Sequence, residues 1–256
     1  MKHIVLTGGA NGIGRAIVEH YVDKVELYVI DSNDQAGRAL EDKFSSPHLH
    51  FFYGDLAEKS SLDSFIRFVL DKTEVIDGII HNAAINHGGL LSKASLEEFM
   101  EVMQVNVGTG YYLTQQLMKS FSDSASIILM SSTRNRQSMA DNESYSSSKG
   151  ALLSLTHALA NSLRGKARVN TISPGWIETG EYQIEESQSQ LTKEDAAQHL
   201  VKRVGRPKDI VQMVDYLLDE KKSGFITGQE FVIDGGMSKQ MIYHGEHGWT
   251  YKSQID

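Results

Sequence analysis

The 256-residue sequence contains no cysteine, so neither disulfide bonds nor thiolate chemistry can contribute to its function. It has no apolar run near the roughly 20 residues that a membrane span needs, and no signal peptide precedes its first strand-like residues. A net charge of −8 without a lysine or arginine block argues against nucleic acid as the main partner. We therefore expect a cytoplasmic protein that binds neither membranes nor nucleic acids.

Prolines are also few, since only Pro47, Pro174 and Pro207 occur, and no stretch rich in proline, glycine and serine divides the chain. Short, continuous apolar runs alternate with helix-length segments, which is typical of strands covered on both faces. These runs are Ile4–Leu6, Leu27–Ile30, Leu49–Tyr53, Ile76–Ile80, Ile127–Met130, Val169–Ile172 and Phe231–Ile233. The pattern predicts a single-domain α/β protein of the Rossmann type, with a doubly wound parallel sheet of about seven strands.

Glycine is abundant by contrast, and it clusters in Thr7–Gly14 between the first strand and a helical segment. Such a loop allows a tight turn and lets a helix N-terminus face a pyrophosphate. Asp31 ends the second strand, where an acid can bind a ribose hydroxyl and repel a 2′-phosphate. No lysine or arginine follows directly at Ser32 and Asn33. The sequence therefore predicts a dinucleotide site that prefers NAD to NADP.

A second candidate group begins at Ser132, which follows a buried strand, and continues with Tyr145 and Lys149 on the next helix. Tyr145 and Lys149 are four residues apart, so they share one helix face. A phenol ionises near pH ~10, and a lysine charge about 5 Å away would favour the phenolate by roughly 3 kcal/mol, about two pKa units. We therefore expect Tyr145 to act as an acid or base near neutral pH.

Taken together with further motifs, these residues make the chain resemble the short-chain dehydrogenase/reductase family, over about residues 3–238. The further matches are Asp55-Leu56, His81-Asn82-Ala83-Ala84, Asn106, Pro174-Gly175, Ile177, Thr179, Thr227-Gly228-Gln229 and Asp234-Gly235-Gly236. Two of these positions depart from the family pattern, since His81 replaces an asparagine and Ala84 replaces a glycine.

The resemblance implies an NAD-dependent enzyme that interconverts a secondary alcohol and a ketone. Tyr145 would transfer the proton, Ser132 would stabilise the substrate oxygen, Lys149 would assist Tyr145, and Asn106 would hold a water. The cofactor-binding residues would be Gly8, Asn11, Gly12, Ile13, Gly14, Asp31, Asp55, Leu56, Asn82, Ala83, Tyr145, Lys149, Pro174, Gly175, Ile177 and Thr179. No metal is implied.

The resemblance also implies an organisation for the whole chain. Residues 1–238 would form the dinucleotide-binding domain, with a substrate loop at 177–204, of which 180–202 looks like a mobile helical excursion. Residues 239–256 would form a tail that packs on a neighbour or serves the pocket. Because the family commonly forms tetramers or dimers, we expect a homotetramer or homodimer.

Several polar or aromatic residues are weaker candidates for substrate contacts. Arg134 and Arg136 follow Ser132 and would either pair with an anionic substrate or be solvated. Asn86 and His87 follow the Asn82 turn, and Trp176 and Tyr182 flank the substrate loop. His157 reads as a packed core or interface residue, and His244 with His247 has too few companions for a metal site.

Two other classes of function remain open. A dinucleotide-sensing regulator can use the same fold without chemistry, although a sensor does not need the serine, tyrosine and lysine group. A sugar epimerase or dehydratase of the family's longer branch would need a larger C-terminal substrate domain than this chain has. Candidate substrates of an oxidoreductase include sugars or polyols, 3-oxoacyl thioesters and steroid-like alcohols.

Overall fold

The computed structural model describes residues 1–185, 187, 190–241, 243, 245 and 250. Its centre is a seven-stranded sheet in the order β3-β2-β1-β4-β5-β6-β7, in which all neighbouring strands run parallel. The strands are β1 (Lys2–Thr7), β2 (Val25–Asp31), β3 (Leu49–Tyr53), β4 (Ile76–His81), β5 (Phe121–Met130), β6 (Ala167–Pro174) and β7 (Glu230–Ile233). The predicted doubly wound parallel sheet is confirmed, and each predicted apolar run lies within a strand.

Helices connect the strands. They are α1 (Gly12–Tyr21), α2 (Asp34–Phe44), α3 (Lys59–Leu70), α4 (Leu96–Met103), α5 (Thr109–Leu117), α6 (Glu143–Ser162), α7 (Lys193–Ala197), α8 (Pro207–Leu218) and α9 (Glu220–Ser223). A π-helical turn at Gln104–Gly108 joins α4 to α5, and a short 3₁₀ turn at Thr133–Asn135 follows β5. A π turn inside a helix is rare and is frequent at functional sites.

Apolar side chains cover both faces of the sheet, which explains why the strands read as continuous hydrophobic runs. On one face Ile17 of α1 and Ile210 of α8 pack with the strands. On the other face Phe65 of α3, Leu113 of α5 and Leu152 of α6 do the same. All five side chains are fully buried. The two helix layers leave the carboxyl ends of the strands free to form a site.

The strand order reverses between β1 and β4, since β2 and β3 lie on one side of β1 while β5 and β6 lie beyond β4. Open α/β sheets bind ligands in the crevice at such a switch point. Thr7 ends β1 and pairs with His81, which ends β4. These two residues therefore mark the position of the crevice.

The structure differs from the sequence expectation at the start of β5. β5 begins at Phe121, six residues before the predicted apolar run. The first residues of this strand are mostly polar and lie at its partly exposed end, so an apolar pattern does not include them. The segment 180–202 contains a 3₁₀ turn at Gly180–Tyr182 and the short helix α7, with residues 186, 188 and 189 outside the described residues. Its mobility stays a prediction.

Most of the tail, including Trp249, Tyr251, His244 and His247, lies outside the described residues, so its role also stays a prediction. Where the structure describes the chain, it contains no helix that is both long and apolar enough to cross a membrane.

Candidate active site

The predicted reactive side chains converge where β5 ends and α6 begins. Ser132 directly follows the buried end of β5, and its hydroxyl accepts a hydrogen bond from the Arg134 amide at 3.2 Å. The hydroxyl also lies close enough to the Tyr145 phenol to lower the pKa of that phenol. Tyr145 and Lys149 stand one turn apart on α6, and the Lys149 Nζ lies 5.3 Å from the centre of the Tyr145 ring. The structure thus brings Ser132, Tyr145 and Lys149 together.

The protonation of this group differs from the sequence expectation. Lys149 is 2% exposed, its Nζ donates to the Met130 carbonyl at 2.8 Å, and burial lowers the pKa of Lys149 to about 7. Burial raises the pKa of Tyr145, while the Ser132 hydroxyl and the Arg134 charge act in the opposite direction. The expected lowering of the Tyr145 pKa by Lys149 is therefore wrong for this structure. Desolvation, which a sequence does not reveal, is the larger effect at both groups.

Asn106 lies in the π turn, and its buried side chain forms three hydrogen bonds with other residues of the protein. Its side-chain amide donates to the Ile85 carbonyl at 3.0 Å and to the Ser148 hydroxyl at 2.9 Å, and its side-chain oxygen accepts from the Ile85 amide at 2.8 Å. Ser148 in turn donates to the Tyr145 carbonyl at 2.7 Å. Asn106 is therefore tied to the first turns of α6, and its expected role in holding a water stays a prediction.

The glycine loop that follows β1 is tightly closed. Gly8 and Gly12 have φ values of +70° and +59°, which other residues rarely adopt. A Cβ atom on Gly14 would lie 1.8 Å from the Gly8 carbonyl oxygen, so only glycine lets α1 approach the loop this closely. The Asn82 side chain also donates to the Gly8 carbonyl, at 2.8 Å. The loop and the turn after β4 thus form one surface.

A cavity of about 450 Å³ opens beside this surface. Seven of the predicted cofactor-binding residues line it, namely Gly8, Asn11, Asp31, Asp55, Leu56, Asn82 and Ala83. The Asp31 carboxylate faces the cavity and is oriented by the amides of Ala10 and Asn33, each at 2.9 Å. This arrangement places an acceptor at the end of β2, as a ribose-binding acid requires.

Two further observations test whether a dinucleotide fits these residues. The Asn11 side-chain oxygen is buried in the cavity wall without a hydrogen-bond donor among the described residues, which is an acceptor that a ligand hydroxyl or amine can satisfy. Helix α1 begins at Gly12 without an acidic residue in its first turn and without a side-chain cap. Its N-terminal amides therefore remain available to a phosphate. The residues present fit a dinucleotide.

Four of the remaining predicted cofactor residues lie at the end of β6 or directly after it, namely Pro174, Gly175, Ile177 and Thr179. Thr179, after β6, is about 3.7 Å from the position of a Cβ on Gly12, so the two loops meet. Pro174 ends β6, and the backbone amide of the next residue, Gly175, donates to the Ile233 carbonyl at 3.0 Å. The side chains of Ile13 and Ile177 pack against the core instead, so these two residues can offer a cofactor mainly their backbone.

The weaker candidates separate into several groups. The charge of Arg134 favours the phenolate form of Tyr145, and its guanidinium donates to the Met139 sulfur at 2.8 Å. Arg136 is instead ion-paired with Glu230. His87 pairs with Glu101 at 3.1 Å and lines the 450 Å³ cavity. Asn86 caps the Gly88 amide at 3.1 Å.

Two aromatic candidates and one histidine complete this set. Tyr182 is buried, and the Trp176 ring lies 6.1 Å from the His199 ring, so a role of either in specificity stays a prediction. His157 is exposed on α6, which makes the expectation of a packed core residue wrong, while the interface alternative stays a prediction. Among the described residues no cluster of three potential metal ligands occurs.

Sequence reasoning missed a network that holds the loop after Ser132. The Asn135 side chain donates to Glu230 at 2.7 Å and to Ser173 at 3.0 Å, and Ser173 donates to the same carboxylate at 2.8 Å. Ser131 donates to the Lys149 carbonyl at 2.8 Å. Glu230 lies 95 residues along the chain from Asn135, so no local pattern could have revealed the contact.

Known proteins resemble this chain over nearly its full length. The family model described as enoyl-(acyl carrier protein) reductase matches residues 8–238. An uncharacterized oxidoreductase from Thermotoga maritima is 36% identical, with 94% of this chain and 98% of the relative covered. A 3-oxoacyl-(acyl-carrier-protein) reductase from Chlamydia pneumoniae is 26% identical, with 93% and 97% covered.

A solved structure extends the comparison to three dimensions. An apo SCOR enzyme from Clostridium thermocellum superposes with a TM-score of 0.87 at 36% identity, covering 100% of this chain and 99% of that one. Fold and relatives therefore agree, and the family is one of oxidoreductases that use a nicotinamide dinucleotide. The chain belongs to the short-chain dehydrogenase/reductase family.

Proposed function

We propose that the protein is an NAD-dependent oxidoreductase that interconverts a secondary alcohol and a ketone, with Ser132, Tyr145, Lys149 and Asn106 as its reactive group. The observation that carries this proposal is the convergence of Ser132, Tyr145 and Lys149 at the end of β5, on the same edge of the sheet as the glycine loop. NAD would supply the hydride acceptor, and NADH the hydride donor.

The side chains divide the remaining work. The Ser132 hydroxyl and the Tyr145 phenol, which lie close together, can both hydrogen-bond one substrate oxygen and stabilise the charge that develops there. In oxidation Tyr145 as phenolate accepts the alcohol proton, and in reduction the phenol returns a proton to the carbonyl oxygen. Lys149, with a pKa near 7, can change its protonation at neutral pH and relay this proton.

The charges around the crevice favour NAD over NADP. The Asp31 carboxylate would lie where the 2′-phosphate of NADP sits, and like charges repel there. The arginines of the two helices that follow the glycine loop and Asp31 are already engaged, because Arg15 of α1 pairs with Glu19 at 3.2 Å and Arg38 of α2 pairs with Asp34 at 2.9 Å. These pairings reduce the attraction of the site for a second phosphate.

The substrate class is tested by a panel of sugars, polyols, hydroxysteroids, 3-hydroxyacyl thioesters and enoyl thioesters, each with NAD(H) and NADP(H). The panel includes acyl thioesters because one relative is a 3-oxoacyl-(acyl-carrier-protein) reductase. Turnover that depends on Tyr145 would identify reaction, cofactor and substrate class together. Tight NADH binding without turnover of any substrate would favour the dinucleotide sensor, and inversion of a sugar carbon without net oxidation would favour an epimerase.

We further propose that the protein assembles as a homotetramer or homodimer. Large apolar side chains on its surface support this, since Phe225 is fully exposed and Met100 and Tyr111 of α4 and α5 are about half exposed. Light scattering at micromolar concentration tests the proposal, and a monomer there would contradict it.

A further inference from the structure

We propose that His81 is a positioning residue, whose neutral imidazole couples the cofactor loop to the π turn that carries Asn106. The proposal rests on the proposed function and deepens it, since it assigns a task to the histidine that stands where the family pattern has asparagine. His81 does not touch the reacting atoms. It acts through the backbone of Asn106 and through Thr7.

The His81 ring bridges two elements at the switch point of the sheet. The side chain ends β4 and is 1% exposed. Its Nδ1 atom lies 2.9 Å from the Thr7 hydroxyl at the end of β1, and its Nε2 atom lies 2.9 Å from the Asn106 carbonyl in the π turn. Gly110 of α5 makes room for the ring, because a Cβ there would approach a ring carbon to 2.9 Å.

The surrounding hydrogen bonds determine which ring nitrogen carries the proton. The Thr7 hydroxyl oxygen already accepts from the amides of Asn82 and Ala83, each at 3.1 Å. A hydroxyl has two acceptor lone pairs and one proton, so its proton must go to Nδ1 of His81. Nε2 then carries the ring proton and donates it to the Asn106 carbonyl.

This arrangement requires the neutral ring. A proton on Nδ1 would point at a hydroxyl oxygen that has no free lone pair, and the resulting cation would be buried. Burial, assisted by the charge of Lys149, lowers the pKa of His81 to about 4 although the Asn106 carbonyl favours the charged form. The bridge therefore persists throughout the neutral pH range.

The bridge joins the two halves of the site. On one side the Thr7 hydroxyl accepts hydrogen bonds from the Asn82 and Ala83 amides. The Asn82 side chain in turn donates to the Gly8 carbonyl of the glycine loop. On the other side the Asn106 side-chain amide donates to the Ser148 hydroxyl, which donates to the Tyr145 carbonyl. The imidazole connects these two sets of contacts, beside the two hydrogen bonds that the Asn106 side chain makes with the Ile85 backbone. An asparagine side chain is shorter than a histidine ring and cannot span both 2.9 Å contacts without movement of β1 or the π turn.

The experiment compares His81→Leu, His81→Gln and Thr7→Val, with the exposed His157→Asn as the matched histidine control. Circular dichroism and thermal melts establish the folded fraction, and NADH affinity and kcat are then expressed per folded site. We expect His81→Leu to weaken NADH binding several-fold and to lower kcat about ten-fold or more. His81→Gln, which retains a donor for the Asn106 carbonyl, should recover part of both losses. Thr7→Val should weaken NADH binding, since it frees the Asn82–Ala83 amides.

A spectroscopic measurement tests the bridge without turnover. Nitrogen-15 NMR of the wild type should show a ring protonated at Nε2 that does not titrate between pH 5.5 and 8. A ring protonated at Nδ1, or a titration in that range, would overturn the proposal. So would a folded His81→Leu protein whose NADH affinity and kcat match the wild type within about two-fold. If no substrate is turned over, the proposed function fails, while NMR and NADH affinity still decide the role of His81.

Discussion

Lys149 carries its ammonium nitrogen 5.3 Å from the centre of the Tyr145 ring, in a position almost fully removed from water. Its nitrogen donates to the Met130 carbonyl, and burial lowers the pKa of Lys149 from 10.5 to about 7. The protein therefore keeps a poorly solvated amine next to Tyr145, the proposed proton-transfer residue. Such a site is expected to cost stability and to serve function.

Lys149→Met should stabilise the protein, measured without added cofactor, and abolish turnover. Because the folded-state pKa lies below the unfolded one, the wild type loses stability as pH falls from about 10.5 to about 7 and levels off below that. The gain from Lys149→Met should therefore be largest below pH 7, at up to roughly 5 kcal/mol for the difference between pKa 10.5 and about 7, and become small near pH 10.5. Thermal melts at pH 6 and pH 9.5 check this. A gain that does not depend on pH would contradict the assigned pKa.

Arg134→Gln should shift the pH dependence of alcohol oxidation to higher pH. The Arg134 charge favours the Tyr145 phenolate, so its removal raises the pKa of Tyr145 further. In the proposed mechanism oxidation requires the phenolate, so the pH of half-maximal rate should rise. Arg136→Gln is the matched control, because Glu230 already neutralises Arg136. Equal shifts in the two variants would show that Arg134 has no special position.

The wild type should bind NADH at least about ten-fold more tightly than NADPH, a difference of about 1.4 kcal/mol. Asp31→Asn removes the charge but keeps the size of the side chain, so it should improve NADPH binding and narrow this ratio. Asp42→Asn, on the exposed part of α2, is the control and should leave the ratio unchanged. Isothermal titration of all three proteins gives the ratios. A wild type that prefers NADPH would refute the interpretation of Asp31.

Gly14→Ala should abolish dinucleotide binding and lower stability, since the added Cβ would lie 1.8 Å from the Gly8 carbonyl oxygen. Gly150→Ala offers a contrast within α6, where only the Asn135 carbonyl lies as near as 4.0 Å. It should stabilise the protein by about 0.5–1 kcal/mol through helix propensity. Denaturant titration and NADH fluorescence distinguish the two. Retained NADH affinity in the Gly14→Ala protein would mean that the loop can open.

The sheet could be predicted because its strands are buried on both faces and therefore read as uninterrupted apolar runs. β5 shows the limit of this signal, since residues 121–126 are largely polar and were recognised as strand only in the structure. The π turn at Gln104–Gly108 had no local signal, because it depends on contacts that Asn106 makes with Ile85, Ser148 and His81. Local patterns identified the elements, and tertiary contacts decided their irregularities.

The reactive side chains were predictable for a related reason. Tyr145 and Lys149 share a helix, so their spacing alone places them on one face, where the Lys149 Nζ lies 5.3 Å from the centre of the Tyr145 ring. Their pKa values were not predictable, because burial depends on residues far away in the sequence. The same holds for the bridge from Thr7 through His81 to Asn106, which spans three separate elements.

The most direct test of the account compares Tyr145→Phe with the wild type on any substrate of the panel that the wild type turns over. Both NADH formation and NADH affinity are measured on the same preparations. We predict that loss of the phenol lowers the rate by about 10²–10⁴-fold, the contribution expected of a general acid or base, while NADH affinity stays within about two-fold. A variant that retains turnover, or that loses NADH binding while it still turns over, would contradict the assignment of Tyr145 as the proton-transfer residue.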